Sequence, residues 1–193
     1  MSIVLADYII PNKANGSIRG NLQSSLYNQT STVTHTGGAT PAETSLLGTG
    51  VGSLTIPANF FQVGRAIKLV NRSLLTVTSQ PKTSTIKVYL GADKVITDTV
   101  AFGADVTGVY AEIDLEIRCT EIGPTGGAFA VLGSMVYGTG VSGGAMGIRF
   151  LTGTFTTVDV TQALAFNTTF KWANGTAAGD IIVSKSSVLE AIL

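Results

Sequence analysis

The sequence predicts an all-β chain folded as one antiparallel sandwich or barrel behind a short extended N-terminal arm, and three observations predict it. Apolar and polar residues alternate with a period of two through most of the chain. The alternating segments are short and end at glycine, proline or polar turn residues. No stretch beyond the arm carries a convincing amphipathic helix, which argues against β/α units. With 193 residues, 45% of them hydrophobic, the chain is long enough for one well-buried core.

Residues 1–41 form the predicted arm. They hold two apolar clusters, Ile3, Val4, Leu5 and Tyr8, Ile9, Ile10, followed by Pro11 and an Asn/Gly/Ser-rich stretch. Ile18, Leu22 and Leu26 recur every four residues and predict a short helix starting near Ser17. So short a helix is marginal in water, so the arm is expected to order against a partner. The segment TSTVTHTGGATP (30–41) predicts a strand end running into a loop, with His35 at the surface.

Residues 42–193 form the predicted sandwich. Strands are expected at 53–57 and 65–79, then at 84–91, where Ile86, Val88 and Leu90 point inward; a turn at Gly91-Ala92-Asp93 leads into KVITDTVAF. In 109–123, Val109, Ala111, Ile113, Leu115, Ile117 and Cys119 share one face, and Tyr110, Glu112, Asp114, Glu116, Arg118 and Thr120 the other. Further strands are predicted at 128–137, 146–151 and 154–160. Leu164, Phe166, Thr168, Phe170 and Trp172 then form an alternating stripe, and Asn174-Gly175 predicts a turn before a final strand.

Composition narrows the function. Twelve Lys plus Arg balance twelve Asp plus Glu, so nothing favours nucleic acid or an anionic membrane as a partner. No basic leader or long apolar run predicts a signal peptide or a membrane span. One cysteine and one histidine exclude Cys/His metal sites and an intrachain disulfide, and His35 lacks the motif of a catalytic triad. Gly138 to Gly143 matches G-x-G-x-x-G, but the glycine-rich and β-branched residues after it predict no helix to hold a phosphate. Glu112, Asp114 and Glu116 stand roughly 6.5–7 Å apart on one strand face, a spacing open to catalysis or calcium. A straight row on an outward face is more simply a line of ion pairs, with Lys68, Lys87, Lys94 and Arg118 as expected partners. No enzyme activity, cofactor or metal is therefore expected.

Charged residues make up only 12% of the chain, and between Glu121 and Asp159 the only one is Arg149. AFAVLGSMVYG is apolar in both strand phases, so both of its faces should be covered, one by the core and one by another subunit. Val131, Met135, Tyr137, Met146, Ile148, Phe150 and Phe155 are the candidate interface residues.

The succession GSLTIPANFFQVG (52–64), STIKVYLGADKV (84–95), the acidic strand with IRCTEIGPTGG, and FNTTFKWANG (166–175) resembles jelly-roll virion proteins of tailed bacteriophages: head decoration or cement proteins, head fibres and fibre tips. The resemblance implies a jelly-roll-like sandwich that forms a homotrimer on the virion. That sandwich serves capsid and tail proteins alike; the short arm, without heptads or repeated motifs, favours a capsid decoration or cement protein, made in the host cytoplasm, with the major capsid protein or other virion proteins as partners. The apolar residues of the arm, Ile3 to Leu26, would be its anchor. A receptor-binding tip that recognises host-surface glycans through the loop at 138–147 is the alternative.

Overall fold

A computed structural model describes residues 23–78, 82–103, 105–123, 126–139, 146–173 and 177–192. The described strands are β1 (Gln23–Gln29), β2 (Val33–Thr36), β3 (Thr44–Ser45), β4 (Gly50–Gly52), β5 (Thr55–Ile56), β6 (Ala66–Val77) and β7 (Lys82–Leu90). They continue with β8 (Asp93–Phe102), β9 (Val106–Gly123), β10 (Gly126–Gly138), β11 (Met146–Val158), β12 (Leu164–Trp172) and β13 (Ile181–Ile192). All pairings are antiparallel. The larger sheet runs β11-β10-β9-β6-β13-β1-β4, with β2 also on β13; the smaller runs β3-β12-β7-β8, with β5 on β12. The chain leaves the larger sheet after β6 for the hairpin β7–β8, returns for the meander β9–β10–β11, and crosses once more through β12.

The predicted alternation places the core. Ile67, Leu69 and Leu75 of β6 and Ile113, Leu115 and Ile117 of β9 are buried on the larger sheet, as are Ile86, Val88, Leu90, Phe166, Phe170 and Trp172 on the smaller. Each such side chain contributes about 1.5–3 kcal/mol on leaving water. Cys119 packs among them as a small core residue. The IPAN segment is a tight turn: the Phe60 N–H donates to the Pro57 carbonyl at 3.2 Å, and Asn59 takes a left-handed φ of 59°. The predicted strands at 146–151 and 154–160 are one continuous strand, β11.

The predicted boundary at residue 41 moves. β1 and β2 belong to the sandwich: Gln23 to Asn28 pair with Ile192 to Val188, and Val33 to Thr36 with Ser184 to Ile181. Leu26, assigned to a helix by its spacing, lies in β1 and packs half-buried against the core. Its neighbour Tyr27 is buried and donates its hydroxyl proton to the Gly48 carbonyl. Backbone pairing with a strand from the far end of the sequence decides the conformation of this polar segment, and the weak helical spacing yields to it. The other arm residues, Ile3, Val4, Leu5, Tyr8, Ile9, Ile10, Ile18 and Leu22, lie outside the described residues. His35 is also corrected: it sits inside β2 opposite Ile182, 5% exposed, with its ring 6.2 Å from that of Phe170 and its Nδ1 bonded to the Thr44 hydroxyl.

One part of the core is polar. Asn71 donates from Nδ2 to Ser184 Oγ at 2.7 Å and Ser187 Oγ at 2.8 Å, and accepts from Ser73 Oγ at 2.7 Å. Ser187 donates its proton to Gln29 Oε1 at 2.7 Å. The cluster lies beside a register shift between Ser184 and Ser186 in β13, where β1 ends and β2 begins on the same strand edge. Gln29 Nε2 donates to the Ser31 carbonyl at 2.6 Å, so the break in pairing is satisfied by side chains.

Candidate assembly face

The outer face of the larger sheet changes character from one strand to the next. On β9 the even-numbered residues point outward and meet those of β6: Glu112 lies opposite Arg72, and Glu116 opposite Lys68. Arg72 Nε donates to Glu112 at 3.0 Å, Lys68 Nζ to Asp114 at 2.9 Å, and Arg118 Nη2 to Glu116 at 2.6 Å. The Tyr110 hydroxyl also donates to Glu112, and with Arg72 it holds that carboxyl below the ordinary range. The acidic row is thus a line of ion pairs. Of the expected partners, Lys68 and Arg118 serve in it. Lys87 does not, because β7 lies in the other sheet; the side chain of Lys94 is outside the described residues. Arg72 completes the row, and only the β6–β9 register puts it opposite Glu112. Among the described residues no three His, Cys, Asp or Glu side chains gather as a metal site requires.

On β10 and β11 the outward charge disappears. Leu132 faces Thr152 across the strands, Ser134 faces Phe150, Val136 faces Ile148 and Gly138 faces Met146. Phe150 is 71% exposed, Leu132 66%, Ile148 59% and Met146 55%. Arg149, in the opposite phase, turns its guanidinium to Asp98 of β8, with Nε 3.0 Å from Oδ2 and Nη2 2.5 Å from Oδ1. The one cation of the segment therefore ties β11 to the smaller sheet and leaves the outer face uncharged.

Of the candidate interface residues, Met146, Ile148 and Phe150 lie on this face. Val131 and Met135 do not: they are fully buried, because the odd-numbered residues of β10 supply the sandwich core. Tyr137 is half-buried, its ring edge-on to Phe102 at 5.2 Å and its hydroxyl donating to the Ala101 carbonyl at 3.1 Å, so it too belongs to the contact with β8. The Phe155 side chain is outside the described residues. Leu132 joins the face without having been expected there; it belongs to the second apolar phase of AFAVLGSMVYG, whose phases only a register can tell apart. Phe166, Phe170 and Trp172 are buried core residues, as the stripe predicted. Residues 140–145 of the glycine-rich loop lie outside the described residues. Strand β11 begins at Met146, directly after that loop.

A polar cluster lies on the outer side of the smaller sheet. Glu43 accepts from the Lys87 ammonium, from Tyr89 Oη at 2.8 Å and from Thr169 Oγ1 at 2.8 Å. Burial opposes its charge, but these hydrogen bonds outweigh burial and hold the carboxyl at about 2. Burial also lowers the pKa of His35. Both groups bind a proton more readily in the unfolded chain, so both withdraw stability as pH falls: His35 below 6.5, Glu43 from 4.5 down through about 2. The shift at Glu43 corresponds to at most about 3 kcal/mol, which its partial exposure reduces to roughly 1–2. Urea unfolding between pH 6 and 3 should therefore show a steeper acid loss in the native chain than in Glu43→Gln. Equal slopes would remove Glu43 from the account.

No protein-family model matches the chain, and no curated protein matches it in sequence. Among solved structures it is similar to the CBM2 module of the evolved Dit of Lactobacillus casei BL23 phage J-1, with 12% identity over 89% of this chain and 97% of that one and a TM-score of 0.39. It is also similar to the metal-free form of lectin I-B4 from Griffonia simplicifolia, with 10% identity over 95% and 98% of the two chains and a TM-score of 0.36. Similarity at this level carries nothing about ligand or role; the chain itself shows an antiparallel two-sheet sandwich.

Proposed function

We propose that this chain is a non-enzymatic structural protein of a phage particle, a capsid decoration or cement protein whose sandwich stands on the shell. The observation that carries the reading is the uncharged outer face of β10 and β11, where Leu132, Met146, Ile148 and Phe150 stay in water unless another protein covers them. An enzyme is the weaker reading because the acidic row, whose spacing is open to catalysis, is neutralised by its own neighbours. The sandwich takes in residues 23–36 and with them Leu26, so the proposed anchor keeps Ile3, Val4, Leu5, Tyr8, Ile9, Ile10, Ile18 and Leu22. A protein that binds only the assembled shell stabilises it by mass action.

Co-sedimentation of the full chain with purified shells tests this. The expected result is saturable binding that raises the melting temperature of the shell, and its loss when Ile3, Tyr8 and Ile10 are changed together to Asp. Undiminished binding by that variant would remove the anchor. A chain that ignores shells but is retained on host-surface glycans would be a receptor-binding tip instead.

A further inference from the structure

The outer face of the β9–β11 end of the larger sheet points to its own occupant: we infer that it docks on a second copy of this chain. The inference rests on the reading of this face as a protein contact, and it holds whether or not the chain binds a shell.

Concentration of apolar surface is the first support. Nine large apolar side chains are exposed among the described residues, and six of them, Leu74, Tyr110, Leu132, Met146, Ile148 and Phe150, share this face. Charge is the second. A face meets its own copy without repulsion only if it carries no excess of either sign. Glu112, Asp114 and Glu116 already hold Arg72, Lys68 and Arg118 at 2.6–3.0 Å, and β10 and β11 add no outward charge. A strongly basic or acidic partner would find no outward charge on β10 and β11 to pair with, whereas an identical face would find apolar surface against apolar surface with ion pairs at the border. Area is the third. Strands of 13 residues at about 3.4 Å per residue, four abreast at about 4.8 Å, present roughly 800 Å², the share each partner buries in a stable interface. The apolar centre lies on β10 and β11, and the ion-paired belt of β9 and β6 forms one rim.

Sedimentation velocity and light scattering on the full chain decide the matter. The expected result is a defined oligomer at micromolar concentration. Phe150→Lys and Leu132→Glu should each weaken it about 100-fold, the effect of losing a central apolar anchor. Val51→Lys, at an exposed valine away from this face, should leave the association unchanged. Phe150 and Leu132 project into solvent, so both variants should keep the near-UV circular dichroism of the native fold. A full chain that remains monomeric at about 100 μM overturns the inference, as does an oligomer indifferent to both variants. Shell binding is measured separately: a monomer that still binds shells ends the self-docking and leaves the proposed function standing, and an oligomer broken by Phe150→Lys that ignores shells does the reverse.

Discussion

Trp172→Ala lowers the free energy of unfolding by about 3–5 kcal/mol, the range for truncating a buried aromatic residue. Trp172 is 1% exposed and joins three elements. Its ring stands edge-on to Phe170 at 5.0 Å and tilted to Phe102 of β8 at 5.6 Å, and its indole N–H reaches the His35 carbonyl of β2 at 3.4 Å. Alanine leaves a void lined by aromatic rings that cannot close it without moving strands of both sheets. Trp172→Phe keeps most of the packing and should cost less than half as much. The chain has one tryptophan, so urea unfolding must be followed by far-UV circular dichroism. A loss below about 1 kcal/mol for the alanine variant would mean that the site collapses freely and is not a packing centre.

Asn71→Ala is expected to cost about 2–4 kcal/mol, more than its small loss of volume explains. Removing its amide takes the donor from Ser184 and Ser187 and the acceptor from Ser73, all three buried. Hydroxyls stripped of a partner in a low-dielectric interior carry their full desolvation cost. The diagnostic is a double-mutant cycle. Ser73→Ala should be costly in the native background and close to neutral after Asn71→Ala, because its acceptor has already gone. Strict additivity would show that the four side chains do not act as one network. The cluster lies where β1 and β2 meet the shifted register of β13, so its loss should also raise hydrogen exchange selectively at residues 28–34.

Legibility tracked the strength of local pattern. The 18-residue β9 could be read almost residue by residue, because five inward positions from Ala111 to Cys119 alternate with charged or polar ones. The stripe from Phe166 to Trp172 was clear for the same reason. β1 was not: QSSLYNQ offers one buried aromatic and no apolar alternation, and its strand state comes from pairing with β13. His35 failed similarly, since a histidine flanked by threonines reads as surface until Ile182 and Phe170 are placed beside it. At the candidate face the sequence located the segment, through the charge gap between Glu121 and Asp159, but could not choose a phase. Both phases of β10 are apolar, and only the pairing with β9 sends Val131 and Met135 inward and Leu132 outward.

The position of β13 bears on how the protein is made. Residues 181–192 lie between β6 and β1, with β2 completing the same edge, so three earlier strands of the larger sheet share one late strand. While a ribosome is still synthesising the chain, the pairing edges of β1, β2 and β6 stay open until that strand emerges. Contacts of this sequence separation also make folding slow. Recombinant expression should therefore gain from lower temperature and slower translation, and nascent chains arrested before residue 181 should be the species that chaperones capture.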